Sequence, residues 1–236
     1  HRQQWRNTLD TYAAPVLAPL SVTDIDTGAV MRVLEPIWRD KPETASRLRG
    51  RIEAVLDFAA ARGWRRGDNP ARWRGHLDNL LPARSKLARV QHHAALPWQE
   101  IGAFMADLKR AEGIAPLALR FVILTASRTG EAIGARWSEI DLTNALWTVP
   151  AERMKAGREH RVPLSNGALA VLRQAEMLRI SADPAAPVFP GARPGSPLSN
   201  MALLMLLRRM NRADLTAHGF RSTFRDWCGE STNHPR

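Results

Sequence analysis

Residues 125–141 read TASRTGEAIGARWSEID, and an apolar run from Leu117 to Leu124 leads directly into them. The run predicts a buried helix that stops near Ser127, with Arg128 immediately after it and Glu131 three residues further on. An arginine at the end of a core helix is costly to desolvate unless an anion or a carboxylate meets it. The pattern is therefore compatible with a structural ion pair between Arg128 and Glu131, and also with an anion-binding site.

The composition of the chain is that of a basic globular protein. Hydrophobic residues make up 44% of the 236 residues and charged residues 24%, which does not indicate disorder. The 34 lysines and arginines outnumber the 23 aspartates and glutamates, so the formal net charge is +11. Such an excess of positive charge favours a polyanionic partner such as nucleic acid. The predominance of arginine adds little to this, because genome base composition biases it as well.

Cysteine usage and hydropathy exclude several classes of protein. Cys228 is the single cysteine, so the sequence has no disulfide framework and no thiolate cluster for a metal. No apolar run approaches the roughly 18 residues of a membrane span, and no signal peptide opens the chain. We therefore expect a reducing, cytoplasmic location and no membrane partner. Because the chain begins with His1 and not with Met, we also expect it to be a piece of a longer protein.

Helical periodicity dominates residues 1–84, which are predicted to form a first domain. Its clearest apolar stripe ends at Gly63 and consists of Leu48, Ile52, Val55, Leu56 and Ala59. A further short helix is predicted to start at Asn69-Pro70. Residues 85–97 lose this periodicity and are predicted to form a basic linker.

Residues 98–236 are predicted to form a second domain that combines helices with a small sheet. Helical periodicity occurs around 101–108, 167–180 and 199–211, and a last helix follows Thr216. Residues 145–150 and 159–164 alternate apolar and polar positions over short lengths, which is typical of strands. The expected fold class is therefore mainly α with a small antiparallel sheet. The large tryptophans of this domain are expected in its core, namely Trp137, Trp147 and Trp227.

Five residues of the second domain could act together on one ligand: Arg128 with Glu131, Lys155 between the two strands, and His218-x-x-Arg221 at a helix start. Two arginines suit the two non-bridging oxygens of a phosphodiester, as negative charge builds on phosphorus. A lysine or a histidine could pass a proton to the leaving alkoxide. The set therefore indicates chemistry at a phosphodiester.

This set of residues requires no metal ion, because the arginines can neutralise the phosphate by themselves. The sequence also lacks the clustered carboxylates that a two-metal nuclease uses. Glu139 and Asp141 lie close in sequence, but they are only a weak metal signal. No metal and no cofactor are expected.

The order and spacing of these motifs resemble the tyrosine recombinases of the phage and genomic-island integrase family, in particular its P4-like group. Residues 125–142 resemble the first arginine box of that family, an Arg-x-x-Glu followed by a Trp-Ser-Glu-Ile-Asp run. Met154-Lys155 with Val162-Pro-Leu-Ser165 resembles its lysine hairpin, and His218-Gly-Phe-Arg221 resembles its His-x-x-Arg box. The resemblance extends over essentially the whole chain through three upstream segments, Leu34-Glu-Pro-Ile-Trp38, Asn69-Pro-Ala-Arg-Trp73 and His92-His-Ala-Ala-Leu-Pro97.

The resemblance implies two domains that clamp duplex DNA, a helical core-binding domain over 1–84 and a catalytic domain over 98–236. Arg128 and Arg221 would hold the scissile phosphate, and Glu131 would support Arg128. Lys155 would protonate the 5′ leaving oxygen, and His218 would assist proton transfer. Contacts to the duplex are expected from basic residues of the first domain and the linker, namely Arg47, Arg51, Arg84, Lys86, Arg89, His92 and His93.

The nucleophile of that family is a tyrosine, which forms a 3′-phosphotyrosyl link and stores the bond energy, so religation needs no nucleotide cofactor. The single tyrosine of this sequence is Tyr12, in the first domain. We therefore expect that the tyrosine segment and the arm-binding amino-terminal domain lie outside this chain. The chain alone would then bind DNA without cleaving it. The complete protein, bacterial or phage-derived and nucleoid-associated, is expected to form a tetramer on DNA attachment sites.

Two other functions stay open at this point. One is a non-catalytic DNA-binding protein, such as a degenerate recombinase that has kept its clamp. The other is a type IB topoisomerase, although the upstream helical domain favours the recombinase. Net charge does not separate them, because phosphate contacts dominate DNA affinity in all three. The DNA sequence that is recognised cannot be read from residue types.

Overall fold

The computed structural model describes residues 2–83, 87 and 94–233, and the chain divides into two compact units, 1–91 and 92–236. The division falls within the segment 85–97 that is predicted to be a linker. Five of the predicted DNA contacts lie outside the described residues and stay predictions: Arg84, Lys86, Arg89, His92 and His93. Within the described ranges, no helix is long and apolar enough to cross a membrane.

Unit 1 is helical and has a core of its own. It contains α1 (Arg2–Thr8), a π-helical turn (Leu9–Ala13), α2 (Ala14–Leu17), α3 (Thr27–Trp38) and α4 (Pro42–Ala61). The Asp26 carboxylate accepts a hydrogen bond from the Ala29 amide at 2.7 Å and so caps α3. Leu34, Leu48 and Leu56 are fully buried where α3 packs against α4. Pro36 lies inside α3, which continues past it to Trp38.

Two details of unit 1 differ from the sequence prediction. Val55 lies at the edge of the apolar stripe of α4, where it is 47% exposed and lines an open groove beside Leu9 and Leu17. The helix predicted at Asn69 is a series of turns that leads to a 3-10 helix at Leu77–Asn79. The Asn69 side chain accepts from the Ala71 amide at 2.9 Å, and such local side-chain bonds favour turns over helices.

Unit 2 combines six helices with a small sheet in the described residues. The helices are α5 (Ile101–Arg110), α6 (Ile114–Thr125), α7 (Thr129–Ile133), α8 (Asn166–Met177), α9 (Asn200–Arg209) and α10 (Phe220–Ser231). Short 3-10 helices occupy Trp98–Glu100, Trp137–Glu139 and Ala151–Arg153. The sheet is antiparallel with the order β1 (Ile140–Asp141), β2 (Leu146–Val149), β3 (His160–Pro163), which confirms the predicted fold class.

Helix α6 is the centre of unit 2 and contacts α5, α7, α8, α9 and α10. Its apolar residues are buried on almost every side, as the run from Leu117 to Leu124 predicts. Phe121 is fully buried between Trp147 of β2 and Phe189, with ring centroids 5.1 and 5.5 Å away. The site described below is built at the carboxyl end of this helix.

Replacing Phe121 with alanine should destabilise unit 2 strongly. The substitution leaves a cavity beside Trp147, and such a loss costs about 3–5 kcal/mol in the free energy of unfolding. Urea unfolding followed by near-UV circular dichroism would measure it. Met177→Ala on α8 is the matched control, because Met177 is 79% exposed and its loss should change stability by only about 0.5 kcal/mol or less. Equal effects of the two substitutions would contradict the central position of α6.

Candidate active site

The turn between α6 and α7 brings a core helix to a sharp stop. Ala126 adopts a left-handed conformation, with φ 49° and ψ 24°, and its amide donates to the Ile123 carbonyl at 3.3 Å. Left-handed residues commonly end helices, although glycine is the usual choice. Thr125 Oγ1 donates to the Phe121 carbonyl at 2.7 Å and lies within hydrogen-bond distance of Ser127 Oγ, at 2.8 Å. The chain therefore reverses into Arg128 in a well-bonded turn.

Arg128 and Glu131 form the ion pair that the sequence predicts. Arg128 Nη1 lies 2.7 Å from Glu131 Oε1, and the Arg128 amide donates to Glu131 Oε2 at 3.1 Å. The second contact is the backbone half of a capping box at the start of α7. The Glu131 side chain is 8% exposed, whereas the Arg128 side chain is 48% exposed. One side of the guanidinium is thus held by a buried carboxylate, and the other side is open to solvent.

Arg221 joins a distant part of the chain to this turn. It is the second residue of α10, and its Nη1 donates to the carbonyl oxygen of Ala126, 95 residues earlier in the sequence. Ala126 is two residues from Arg128, so both predicted arginines are positioned by one turn. His218 is exposed in the turn just before α10. His218, Arg221 and Ala126 line an open cleft of about 470 Å³, which continues along α10 to Arg225 and Cys228.

Lys155 is carried by the sheet and not by the helices that hold the two arginines. It is exposed in the loop that joins β2 to β3, three residues after Glu152 and two before Gly157, whose φ is 63°. Within the described part of the chain, the lining of the cleft includes neither Lys155 nor Arg128. The loop is tied to α7 by Arg153 instead, two residues before the lysine.

Arg153 and Glu139 form a buried pair that the sequence did not reveal. Arg153 Nη1 contacts both carboxylate oxygens of Glu139, and its Nη2 donates to the Glu131 carbonyl at 2.5 Å. Their side chains are 19% and 7% exposed. Trp147 Nε1 also donates to Glu139 Oε2, at 3.0 Å. The only sequence signal for Arg153 is its place two residues before Lys155, which does not identify its partner.

The carboxylates considered as a weak metal signal are occupied by other contacts. Glu139 is bound by Arg153 and Trp147, as described above. Asp141 accepts from the Asn144 amide at 2.8 Å and from Asn144 Nδ2 at 2.6 Å, and these bonds hold the pKa of its carboxyl below the usual value. The described residues contain no group of three or more His, Cys, Asp or Glu side chains that could hold a metal ion.

The two described arginines that were predicted to contact DNA from unit 1 have different environments. Arg47 is exposed on α4 and lies 2.7 Å from Glu43 one turn earlier, at the surface. Arg51 is only 7% exposed. Its guanidinium donates to Thr8 Oγ1 and, at 2.9 Å, to the Gln4 carbonyl, and it lies over the Trp5 ring. This burial corrects the prediction for Arg51, because its donors already bind α1 to α4.

The tryptophan predictions hold for two residues and fail for the third. Trp137 and Trp147 are buried as expected. Trp227 was predicted to lie in the core, but it is 40% exposed on the outer face of α10, where its ring is 5.7 Å from that of Phe224. Together with Trp98 and Ile101 these two rings line an apolar groove. A large apolar side chain predicts burial only where another element covers it.

Gly219, between His218 and α10, is required by a close approach of the backbone. A Cβ built on Gly219 would lie 2.1 Å from the Ala94 carbonyl oxygen, which is far below any van der Waals contact. Gly219→Ala should therefore displace the start of α10 and destabilise unit 2 by about 3 kcal/mol, the upper end of typical overpacking costs. Thermal unfolding would measure the change.

Gly102→Ala in α5 is the matched control for that substitution. A Cβ on Gly102 meets no atom within 4 Å, so alanine should leave stability unchanged or raise it by about 1 kcal/mol. A Gly219→Ala protein as stable as the parent would show that Ala94 does not press on this turn.

Comparisons with known families match both units. The Phage integrase central domain matches residues 1–76, and the Phage integrase family matches residues 95–231. Prophage integrase IntZ of Escherichia coli K12 is 39% identical over 233 residues, which cover 98% of this chain and 55% of the relative. The integrase of Enterobacteria phage P4 is 28% identical, covering 98% of this chain and 54% of the relative. The chain thus spans about half the length of the curated relatives it matches.

Solved structures share the fold at lower sequence identity. The Tn1549 transposon integrase (residues 82–397), in complex with circular intermediate DNA, matches with a TM-score of 0.72 at 13% identity, covering 98% of this chain and 81% of that one. A lambda integrase tetramer bound to a Holliday junction matches with a TM-score of 0.68 at 18% identity, covering 97% and 67%. With both family models matched in order along the sequence, the chain belongs to the phage integrase family of tyrosine recombinases, with P4-like prophage integrases among its relatives.

Proposed function

We propose that this chain is the DNA-clamping and phosphate-binding part of a site-specific DNA recombinase that integrates DNA through a metal-free phosphotyrosyl mechanism. The observation that carries the proposal is the hydrogen bond from Arg221 to the Ala126 carbonyl. It joins the His-x-x-Arg box to the turn that holds Arg128, and so places two guanidinium groups at one turn. The relatives that are named integrases support the same activity.

The two arginines bind the scissile phosphate in this proposal. Arg128 has one side of its guanidinium held by Glu131 and about half of its side chain exposed, so it can donate to a phosphate oxygen without losing its support. Arg221 is fixed at the same turn. Donors held in place before the reaction stabilise the charge that develops on phosphorus without reorganising. Glu131 acts through Arg128 as a positioning residue.

Proton transfer is assigned to Lys155 and His218. The 5′ oxygen of DNA leaves as an alkoxide, which is a poor leaving group unless an acid protonates it as the bond to phosphorus breaks. Lys155 is exposed on a loop that Arg153 ties to α7, and in this proposal its flexible side chain reaches the phosphate held by Arg128. His218 borders the cleft beside Arg221 and assists this transfer.

The nucleophile is supplied from outside these 236 residues. Tyr12 is the only tyrosine in the sequence, and it belongs to unit 1, where Lys41 Nζ lies 3.2 Å from its hydroxyl. The tyrosine hydroxyl of the complete protein or of a second subunit attacks phosphorus, forms a 3′-phosphotyrosyl bond and expels the 5′ oxygen. The energy of the broken bond is kept in the ester, so a later strand can displace the tyrosine.

Double-stranded DNA is the proposed partner, with the predicted core-binding domain on residues 1–84, the linker on 85–97 and the catalytic domain on 98–236. Arg47 is the described residue of unit 1 that we retain as a DNA contact, because it is exposed. The complete protein is proposed to assemble as a tetramer on paired sites. A lambda integrase, whose fold is similar, is known as a tetramer bound to a Holliday junction.

A second candidate function is a non-catalytic DNA-binding protein derived from a recombinase. The observation that favours it is the absence of any tyrosine from residues 13–236. Such a protein would keep the arginine turn and the positive charge, and would bind DNA without forming a covalent link. The two functions differ in one measurable product, a protein–DNA adduct.

Arg128→Ala should strongly slow covalent adduct formation by the protein extended through its natural downstream sequence to a tyrosine. The assay uses a nicked suicide duplex, from which the cleaved end is lost, and a denaturing gel that detects the adduct. Loss of one pre-positioned charged donor should slow formation about 100-fold to 1000-fold. Arg173→Ala, at an exposed arginine of α8, is the control and should form the adduct at the parental rate. A tyrosine-containing parent that forms no adduct would support the non-catalytic function instead.

Binding of duplex DNA by the 236-residue chain should depend steeply on salt. A net charge of +11 spread over both units should neutralise several phosphates, so affinity should fall about 1000-fold between roughly 50 and 200 mM salt. Fluorescence anisotropy of a labelled duplex would measure it. Binding that is weak at low salt, or that does not respond to salt, would count against both candidate functions.

A further inference from the structure

We propose that Arg153 is a positioning residue that holds the Lys155 loop against α7, so that Lys155 keeps a fixed place relative to Arg128. This inference rests on the proposed function, in which Lys155 is the acid and Arg128 binds the phosphate. Arg153 itself does not touch the DNA phosphate in this proposal.

The Arg153 guanidinium joins its own 3-10 helix (Ala151–Arg153) to two other elements of unit 2. Its Nη1 binds both oxygens of Glu139, which ends the 3-10 helix before β1. Its Nη2 donates to the main-chain oxygen of Glu131 in α7. Because planar guanidinium groups donate in fixed directions, these contacts set the orientation of the loop as well as its distance. Lysine could replace only part of this geometry.

The Glu131 carbonyl is a suitable anchor because it lies at the end of a very short helix. The last carbonyls of a helix lack intrahelical partners, and α7 has only five residues. The carboxylate of Glu131 meanwhile holds Arg128 at 2.7 Å. One residue thus bonds the phosphate-binding arginine through its side chain and the lysine loop through its backbone. The separation between Arg128 and Lys155 is set through Glu131.

The Arg153 guanidinium is closely packed by its neighbours. Its Nη2 would lie 2.9 Å from a Cβ built on Gly134, so a side chain at that position would push against the guanidinium. Glu139 is nearly buried and also accepts from Trp147 Nε1 at 3.0 Å, which fixes the carboxylate. A buried carboxylate that is held by two donors is a rigid partner. The Arg153 guanidinium is therefore held both by the Glu139 carboxylate and by the Glu131 carbonyl.

The geometry of the loop can be tested on the 236-residue chain without any cleavage. Three loop amides are protected by local hydrogen bonds: Arg153 to Pro150, Met154 to Ala151, and Gly157 to Met154, at 3.0 to 3.1 Å. In Arg153→Ala these amides should exchange hydrogen about tenfold faster or more, because the loss of charge-assisted contacts eases local opening. Exchange in α8 should stay unchanged.

Two further variants complete this exchange experiment. Arg161→Ala is the matched control, because Arg161 is an exposed arginine of β3 that pairs with Glu159 at 3.0 Å on the surface. It should leave loop exchange as in the parent. Glu139→Gln keeps the shape of the partner and removes its charge, so it should accelerate the same three amides if Arg153→Ala proves too unstable to study. Unchanged loop exchange in both Arg153→Ala and Glu139→Gln would overturn the inference.

The role in proton transfer needs a second measurement on the tyrosine-containing protein. In a substrate with sulfur in place of the bridging 5′ oxygen, the leaving group is a thiolate. It departs when the tyrosine oxygen bonds to phosphorus, and it needs no proton from an acid. Arg153→Ala should slow cleavage of the ordinary substrate about 100-fold, the effect of misplacing a catalytic group. It should cleave the sulfur substrate within about threefold of the parental rate, because the acid is then dispensable.

The outcomes separate this inference from the proposed function. Equal slowing of Arg153→Ala on both substrates would show a general structural role and would overturn the assignment to Lys155. A tyrosine-containing parent that cleaves neither substrate would defeat the proposed function, while the exchange experiment would still decide whether Arg153 holds the loop. Arg153→Lys should restore part of the ordinary cleavage, since it keeps the charge near Glu139 and loses the bond to α7.

Discussion

The hydrogen bond between the Arg221 guanidinium and the Ala126 carbonyl is the interaction on which the candidate site depends. The carbonyl belongs to the end of α6, where backbone oxygens lack helical partners and the helix dipole is negative, so a cation is stabilised there. Helix α6 is packed by five other helices and is therefore a fixed reference in unit 2. Because Arg221 of α10 bonds to the carboxyl end of α6, its guanidinium is held in a fixed position as well.

The pair formed by Arg128 and Glu131 has a structural role and leaves the arginine available for a ligand. A carboxylate as buried as that of Glu131 would be costly without a cation, so the fold itself requires an arginine or a lysine nearby. Arg128 meets this requirement with one side of a planar group. The other side stays open, and the planar group has donors left for a second anion. The ion pair is therefore observed, and the phosphate-binding role of Arg128 stays a proposal that this geometry allows.

The sequence was sufficient for the fold class, because apolar periodicity is a local property. The order of charged motifs selected the candidate site residues, whose roles stay proposals. The Arg153–Glu139 pair was not predictable, since neither residue type nor spacing reveals which carboxylate a loop arginine will meet after folding. Arg51 failed for the opposite reason. The helical pattern of α4 predicts a solvent-facing arginine at this position, yet α1 packs over it and supplies the Gln4 and Thr8 acceptors. In both cases the contacts of the arginine depend on elements that are distant in sequence and meet only in the folded protein.

The close approach of Ala94 to Gly219 has a mechanical consequence. At the start of unit 2 the Ala94 carbonyl lies directly against Gly219. Two residues further along the chain, the Leu96 carbonyl accepts a hydrogen bond from the buried Thr223 hydroxyl at 2.6 Å. A displacement of the backbone at residues 94–96 would therefore press on the turn that carries His218, so the position of this turn depends on where Ala94 lies.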